Sequence, residues 1–202
     1  VPAGRIGLHG NNKSVAEIDR AVRLGVGSIV IDSPVEIERI AHAAERYGVV
    51  QSVRLRVNSG VHAHTHDFLA TAHEDQKFGV SIAAAPALVA RIREFPQLRF
   101  LGLHCHIGSQ IFDAGGFAES ARRLLTVQRE LLAGGPVPEL NLGGGFGISY
   151  TLADDPTPIE QIADLIVDEI ADVCTELHIP VPDLAFEPGR WIVGNPGITL
   201  YE

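Results

Sequence analysis

The sequence predicts an α/β fold of the (β/α)8 TIM-type barrel kind, incomplete, with about six of its eight strands present. Two observations predict it. Short apolar runs alternate with amphipathic segments along the whole 202 residues. Strand–helix alternation of this kind calls for parallel strands joined by helical crossovers. The unusual residues, Asn11, Asp32, Asn58, His106, Gly143 to Gly145 and Glu187, all stand at or just beyond the ends of apolar runs. In a barrel those ends converge on one site, whereas in an open doubly wound sheet only the ends near the switch point do.

The elements follow in order. Arg5 to His9 is a first apolar run, and Ser14 with Glu17 three residues on forms a capping box for a helix whose face is Ile18, Ala21 and Val22. Ser28 to Ile31 is β-branched and apolar. Ser33, Pro34 and Glu36 then supply cap, first-turn proline and box partner for a helix faced by Ile37, Ile40, Ala41 and Ala44. A third strand covers about Val49 to Val57. A helix near Ala87 to Phe95 leads to a fourth strand, Leu98 to His106, and a helix from about Phe117 to Leu132 follows. Glu139 to Leu142 is the fifth strand. Ile159, Ile162, Ile166, Ile170 and Val173 recur at helical spacing, and Asp183 to Phe186 is the sixth strand. After a Gly/Pro break, residues 198–202 open something new, so residues 1–197 form the barrel domain.

With 46% hydrophobic and 20% charged residues the chain has the composition of one globular core. A formal net charge of -9 argues against nucleic acid as a main partner. Cys105 and Cys174 make neither a zinc motif nor a disulfide framework, which favours a reducing, cytoplasmic setting. No apolar run reaches the roughly 18 residues of a membrane span. No signal peptide opens the chain, and a first residue of Val places the natural start elsewhere.

Three motifs carry chemistry. His104 and His106, two apart on a strand, share a face with Gly102, which leaves room above it for something flat. A polar pair satisfied by its neighbours is the bland alternative. Zinc is a third reading, strengthened by His62, His64 and His66. Asn141-Leu-Gly-Gly-Gly-Phe-Gly147 follows a strand, and consecutive glycines let backbone N–H groups approach an anion. Ser109 can donate a hydroxyl to the same anion, while a plain tight turn is the alternative. Glu187-Pro-Gly-Arg190 closes the sixth strand. A buried Glu187 needs a partner, either a protonated ring nitrogen or an arginine such as Arg190 or Arg56. Arg190 suits a carboxylate or phosphate. A phosphate, a flat ring and a ring nitrogen together describe pyridoxal phosphate.

These segments resemble one family. His-Gly-Asn-Asn-Lys-Ser (9–14), Ala-His-Glu-Asp-Gln-Lys-Phe-Gly (72–79), Gly-Leu-His-Cys-His-Ile-Gly-Ser-Gln (102–110), Asn-Leu-Gly-Gly-Gly (141–145) and Glu-Pro-Gly-Arg (187–190) are similar, in order, to the diaminopimelate decarboxylases. Those enzymes are among the fold-type III, alanine-racemase-like decarboxylases. The resemblance implies conversion of meso-diaminopimelate to L-lysine and carbon dioxide in a cytoplasmic homodimer. It implies that His106 stacks on the pyridine ring and that Ser109 with Gly143, Gly144 and Gly145 holds the phosphate, Gly145 being best placed. It further implies that Glu187 pairs with the ring nitrogen, with Gly189 beside the cofactor, and that Arg190 binds a substrate carboxylate and touches the cofactor. His106 and Glu187 would be the catalytic pair, with no metal.

The family's cofactor-anchoring lysine lies upstream of Val1, and its C-terminal β-domain, with a cysteine proton donor, begins around Tyr201. Neither Lys13 nor Lys77 matches that anchor. Lys13 is expected to be a solvated surface charge, and Cys105 to pack on the far side of its strand. This chain alone is therefore expected to be inactive. Two alternatives stand: a related basic-amino-acid decarboxylase, sharing the His, Gly-rich and Glu-Pro-Gly-Arg parts but not the 62–79 stretch, and a metal-dependent barrel hydrolase using His104 and His106 with Asp32.

Overall fold

A computed structural model describes residues 1–61, 78–194, 196–198 and 200. Its strands are β1 (Gly7–Leu8), β2 (Ser28–Ile31), β3 (Gln51–Asn58), β4 (Val80–Ser81), β5 (Leu98–His104), β6 (Glu139–Asn141) and β7 (Asp183–Ala185). The helices are α1 (Val15–Arg23), α2 (Pro34–Tyr47), α3 (Ala85–Arg93), α4 (Gly115–Leu132), α5 (Ile159–Leu177) and α6 (Gly189–Val193). All pairings are parallel, in the order β1-β2-β3-β5-β6-β7, with the two-residue β4 added beside the end of β3. Apart from β4, spatial order follows chain order without reversal, so there is no switch point and the arrangement is a barrel segment, not a doubly wound sheet. The six expected strands are present. The short β4 was not expected, because two residues carry no periodicity.

Alternation along the strands separates two faces. Ile29, Ile31, Val53, Leu55, Leu103 and Leu140 are fully buried against the helices. Registers such as Leu55↔Leu103 and Leu103↔Leu140 set these side chains in rows. The helix faces meet them as expected: Ile18, Ala21 and Val22 from α1, and Ile37, Ile40, Ala41 and Ala44 from α2. At roughly 1.5–3 kcal/mol per buried large aliphatic side chain, this face supplies most of the apolar stabilisation. The opposite, concave face is polar. It bounds a cavity of about 490 Å³ lined by Ser28, Ser52, Arg54, Arg99, Asn141 and Glu187, among others. Arg54 there forms a forked ion pair with Glu139 and donates to Ser28 Oγ at 2.5 Å.

Three local expectations need correction. The Ser14–Glu17 capping box is present, but Ser33 makes no side-chain cap. Glu36 turns inward instead, its Oε2 accepting the Asp32 N–H at 2.7 Å and meeting Lys13 Nζ at 2.9 Å. Lys13 is accordingly not a surface charge: it is buried, and its Nζ also donates to Gly10 O at 2.5 Å and Val30 O at 2.8 Å. Finally, the space at Gly102 belongs to the neighbouring strand, since a side chain there would run into the backbone of Glu139. The β3–β5 register also shifts beside it, pairing Val53 with Phe100 but Arg54 with Gly102. Cys105 packs on the helix side as expected, its Sγ between the hydroxyls of Ser59 and Ser120.

Candidate active site

The C-terminal ends of β1, β5, β6 and β7 carry the cluster that matters. Glu187, two residues beyond β7, is held in place by its N–H donating to Gly143 O at 2.8 Å. Three side chains approach its Oε1: Asn141 Nδ2 at 3.0 Å, His9 Nε2 at 3.2 Å and His104 Nε2 at 3.5 Å. Asn141 is oriented by its own carbonyl, which accepts the Gly143 N–H at 2.8 Å and so turns the amide nitrogen toward Glu187. His9 follows β1 and meets the His104 ring edge-on, with centroids 5.1 Å apart.

The electrostatics follow from these contacts. Burial pushes the Glu187 carboxyl upward, but the contacts with His104 and His9 outweigh it and hold the group well below the usual carboxylate range. Burial pushes the His104 imidazole below the usual histidine range, against the raising effect of Glu187. We therefore take Glu187 as anionic and His104 as neutral. Glu187 is 37% exposed and His104 1%, so the carboxylate opens onto the concave face while the imidazole lies behind it.

The glycine run lies beside this carboxylate. Gly143 (φ +68) and Gly145 (φ +107) adopt backbone conformations that side chains resist. Two of the three N–H groups are spent within the protein, Gly143 on Asn141 and Gly144 on His106 Nδ1 at 3.3 Å. Among the described residues none accepts the Gly145 N–H, so an anion would meet Gly145 and not the whole run. The Gly144 contact fixes the His106 ring over the turn. Ser109 lies on the same rim, its Oγ accepting from Arg190 at 2.9 Å. Arg190 also donates to the Tyr150 hydroxyl at 2.7 Å. Gly189 opens α6 and donates its N–H to Glu187 O.

The structure thus brings His106, Gly143 to Gly145, Ser109, Glu187, Gly189 and Arg190 to one rim. Glu187 pairs with neither Arg190 nor Arg56; Arg56 lies 3.8 Å from Asp32 and over the Phe78 ring. His9 and Asn141 carry no expected role, and their position at run ends is the signal in the sequence that marks them. Tyr150 gave none. His62, His64, His66 and Lys77 lie outside the described residues. The metal reading changes shape, because the grouping that could ligate a cation among the described residues is His9, His104 and Glu187, within 4.8 Å of one another, without His106 or Asp32.

Residues 1–194 match the family described as "Pyridoxal-dependent decarboxylase, pyridoxal binding domain". A diaminopimelate decarboxylase of Mycobacterium tuberculosis is 50% identical over all of this chain and 47% of its own length. The chain therefore spans about half the length of the curated relatives it matches. A diaminopimelate decarboxylase from M. jannaschii superposes with a TM-score of 0.82 at 30% identity, covering 94% of this chain and 44% of that one. One from Helicobacter pylori, complexed with L-lysine, gives 0.82 at 26% identity, covering 95% and 47%.

Proposed function

This chain belongs to the pyridoxal-dependent decarboxylase family, and from that premise we propose that it forms the cofactor-binding side of an enzyme that converts meso-diaminopimelate to L-lysine and carbon dioxide. The observation that carries the reading is Glu187: an ionised carboxylate on the concave face, beside a glycine turn with one unused N–H and a serine–arginine pair. That donor and acceptor set fits pyridoxal phosphate. Bound there, the cofactor supplies a protonated pyridine that takes up the electron pair left when a carboxylate departs.

The residues divide the work. Glu187 holds the proton at the ring nitrogen. Gly145 N–H and Ser109 Oγ would hold the phosphate, and Ser109 can donate because it accepts from Arg190 and keeps its own O–H for the ligand. His106, fixed by Gly144, would pack against the ring. Arg190 binds a carboxylate of substrate, and Gly189 leaves open space where α6 begins. Residues 1–197 act as the barrel domain; the second domain proposed to open at 198 falls on a stretch of which 199, 201 and 202 lie outside the described residues. We propose a cytoplasmic homodimer as its working form, in lysine biosynthesis, the setting that the names of the relatives imply.

The test is release of carbon dioxide and L-lysine from meso-diaminopimelate by the intact, cofactor-loaded protein, with ornithine and arginine as competitors. Preference for either competitor would replace the substrate and keep the chemistry. Lys13 cannot serve as the covalent anchor while it is buried against Glu36. The 202-residue chain alone should therefore release no carbon dioxide, and borohydride reduction with pyridoxal phosphate should leave no stoichiometric adduct on Lys13. A cation held by His9, His104 and Glu187 is the second reading. Stoichiometric zinc in purified protein, with no cofactor uptake, would favour it.

A further inference from the structure

His104 has no place in the roles above, yet it is the most buried polar side chain of the site. It is 1% exposed, and neither ring nitrogen has a hydrogen-bond partner of ordinary geometry. An orphaned buried imidazole is costly, so its retention needs a reason. Its Nε2 is 3.5 Å from Glu187 Oε1, a distance that hydrogen bonds in ligand-free sites often show before they tighten.

We propose that His104 is a positioning residue that donates its Nε2–H to Glu187 Oε1, so that the carboxylate keeps its negative charge and presents Oε2 to a cationic ring nitrogen. The proposal rests on the pyridoxal phosphate reading. Three donors converge on Oε1, from the ends of β1, β5 and β6, and none of the three engages Oε2. An ionised carboxylate has about four lone-pair sites, so the second oxygen retains its capacity. The identity of the donors matters more than their number. Asn141 is neutral, and His104 is kept neutral by burial, with the charge of Arg56 acting in the same sense. A lysine or arginine in place of His104 would satisfy the carboxylate and also cancel its charge. A neutral imidazole satisfies it and leaves the charge for the ligand. Edge-on contact with His9 holds the His104 ring at the angle this donation needs.

The experiment loads the intact protein with pyridoxal phosphate labelled with nitrogen-15 at the ring, and follows the ring-nitrogen signal against pH. Wild type should keep the ring nitrogen protonated through neutral pH. His104→Leu should lower the pH at which it loses its proton by about one unit, with kcat down about tenfold and KM little changed, the size of one hydrogen bond to a charged group. His104→Gln, whose amide nitrogen reaches the place of Nε2, should restore both. An unchanged ring signal in His104→Leu would overturn the proposal while leaving the cofactor reading intact. Failure of wild type to bind the cofactor would overturn both. Should His104→Leu not fold, histidine nitrogen-15 spectra of cofactor-free wild type decide instead. A neutral Nε2–H tautomer for His104 supports the proposal, and an imidazolium or Nδ1–H tautomer at neutral pH overturns it.

Discussion

Glu36 and Glu187 are both carboxylates tied to this sheet's C-terminal edge, and their surroundings differ in kind. Glu36 is 2% exposed and faces a fixed cation, Lys13 Nζ, together with the Asp32 N–H. The remaining protons of Lys13 go to backbone carbonyls of Gly10 and Val30. That pair is closed: its charge is cancelled, and it fastens the turn after β1 to β2 and α2. Glu187 is 37% exposed and is met by Asn141, His9 and His104, with no arginine or lysine among its partners in the described residues. A carboxylate matched to a buried cation serves the fold. One without such a fixed cation keeps a charge to offer a ligand.

The comparison can be broken from either side. The largest effect is expected at Lys13→Met, which leaves Glu36 buried without its cation and should cost about 3–5 kcal/mol of stability in urea unfolding. Adding Glu36→Leu should recover most of the loss. A single-variant cost below about 1 kcal/mol would mean that the pair is not closed as described.

Glu187→Gln should behave oppositely. The amide can still bond the ring nitrogen but does not favour its protonation. A penalty of even two pKa units is about 2.7 kcal/mol, or roughly a hundredfold in turnover. Cofactor content and the unfolding midpoint should stay near wild type. Turnover within about threefold of wild type would remove Glu187 from the chemistry.

A smaller effect sharpens the claim that His104 is neutral. The unfolded chain binds a proton on this histidine below about pH 6.5, while the folded chain, with its imidazole depressed by burial, does not. Stability from this residue is thus fully present above that pH and is lost as pH falls, by at most about 1.4 kcal/mol per pH unit. Thermal unfolding between neutral and mildly acid pH should show the slope in wild type and a flatter one in His104→Leu. Equal slopes would mean that His104 is charged in the fold. The smallest effect is expected at Arg122→Gln on α4. Its partners on α5 are Glu169, half-buried, and Glu176, exposed, and pairs so open to solvent add little. A large drop in midpoint there would erase the contrast between open and closed pairs.

Much of the fold was legible because it is written in local periodicity. The β-branched run Ser28 to Ile31, the α2 stripe of Ile37, Ile40, Ala41 and Ala44, and the Ser14–Glu17 box each depend on residues within a few positions. The misreadings share a cause. Lys13 looks like a solvated lysine in a turn until Glu36 and Val30 are folded against it. Glu36 looks like a capping residue until Lys13 reaches it. Gly102 looks like room for a ligand until β6 is laid beside β5. The glycine run looks like three free N–H groups until Asn141 and His106 claim two of them.

By itself, the sequence determined the class of fold, the order of its elements, the apolar face of the sheet and the group of residues at the strand ends, because periodicity and turn chemistry act over one or two turns of chain. Only the tertiary structure decided which carboxylate is sealed and which is open. Glu187 collects donors from the ends of β1, β5 and β6, and Glu36 a cation from the turn before α1. Such partners are chosen by parallel pairing across crossovers, which leaves no mark in either residue's own neighbourhood.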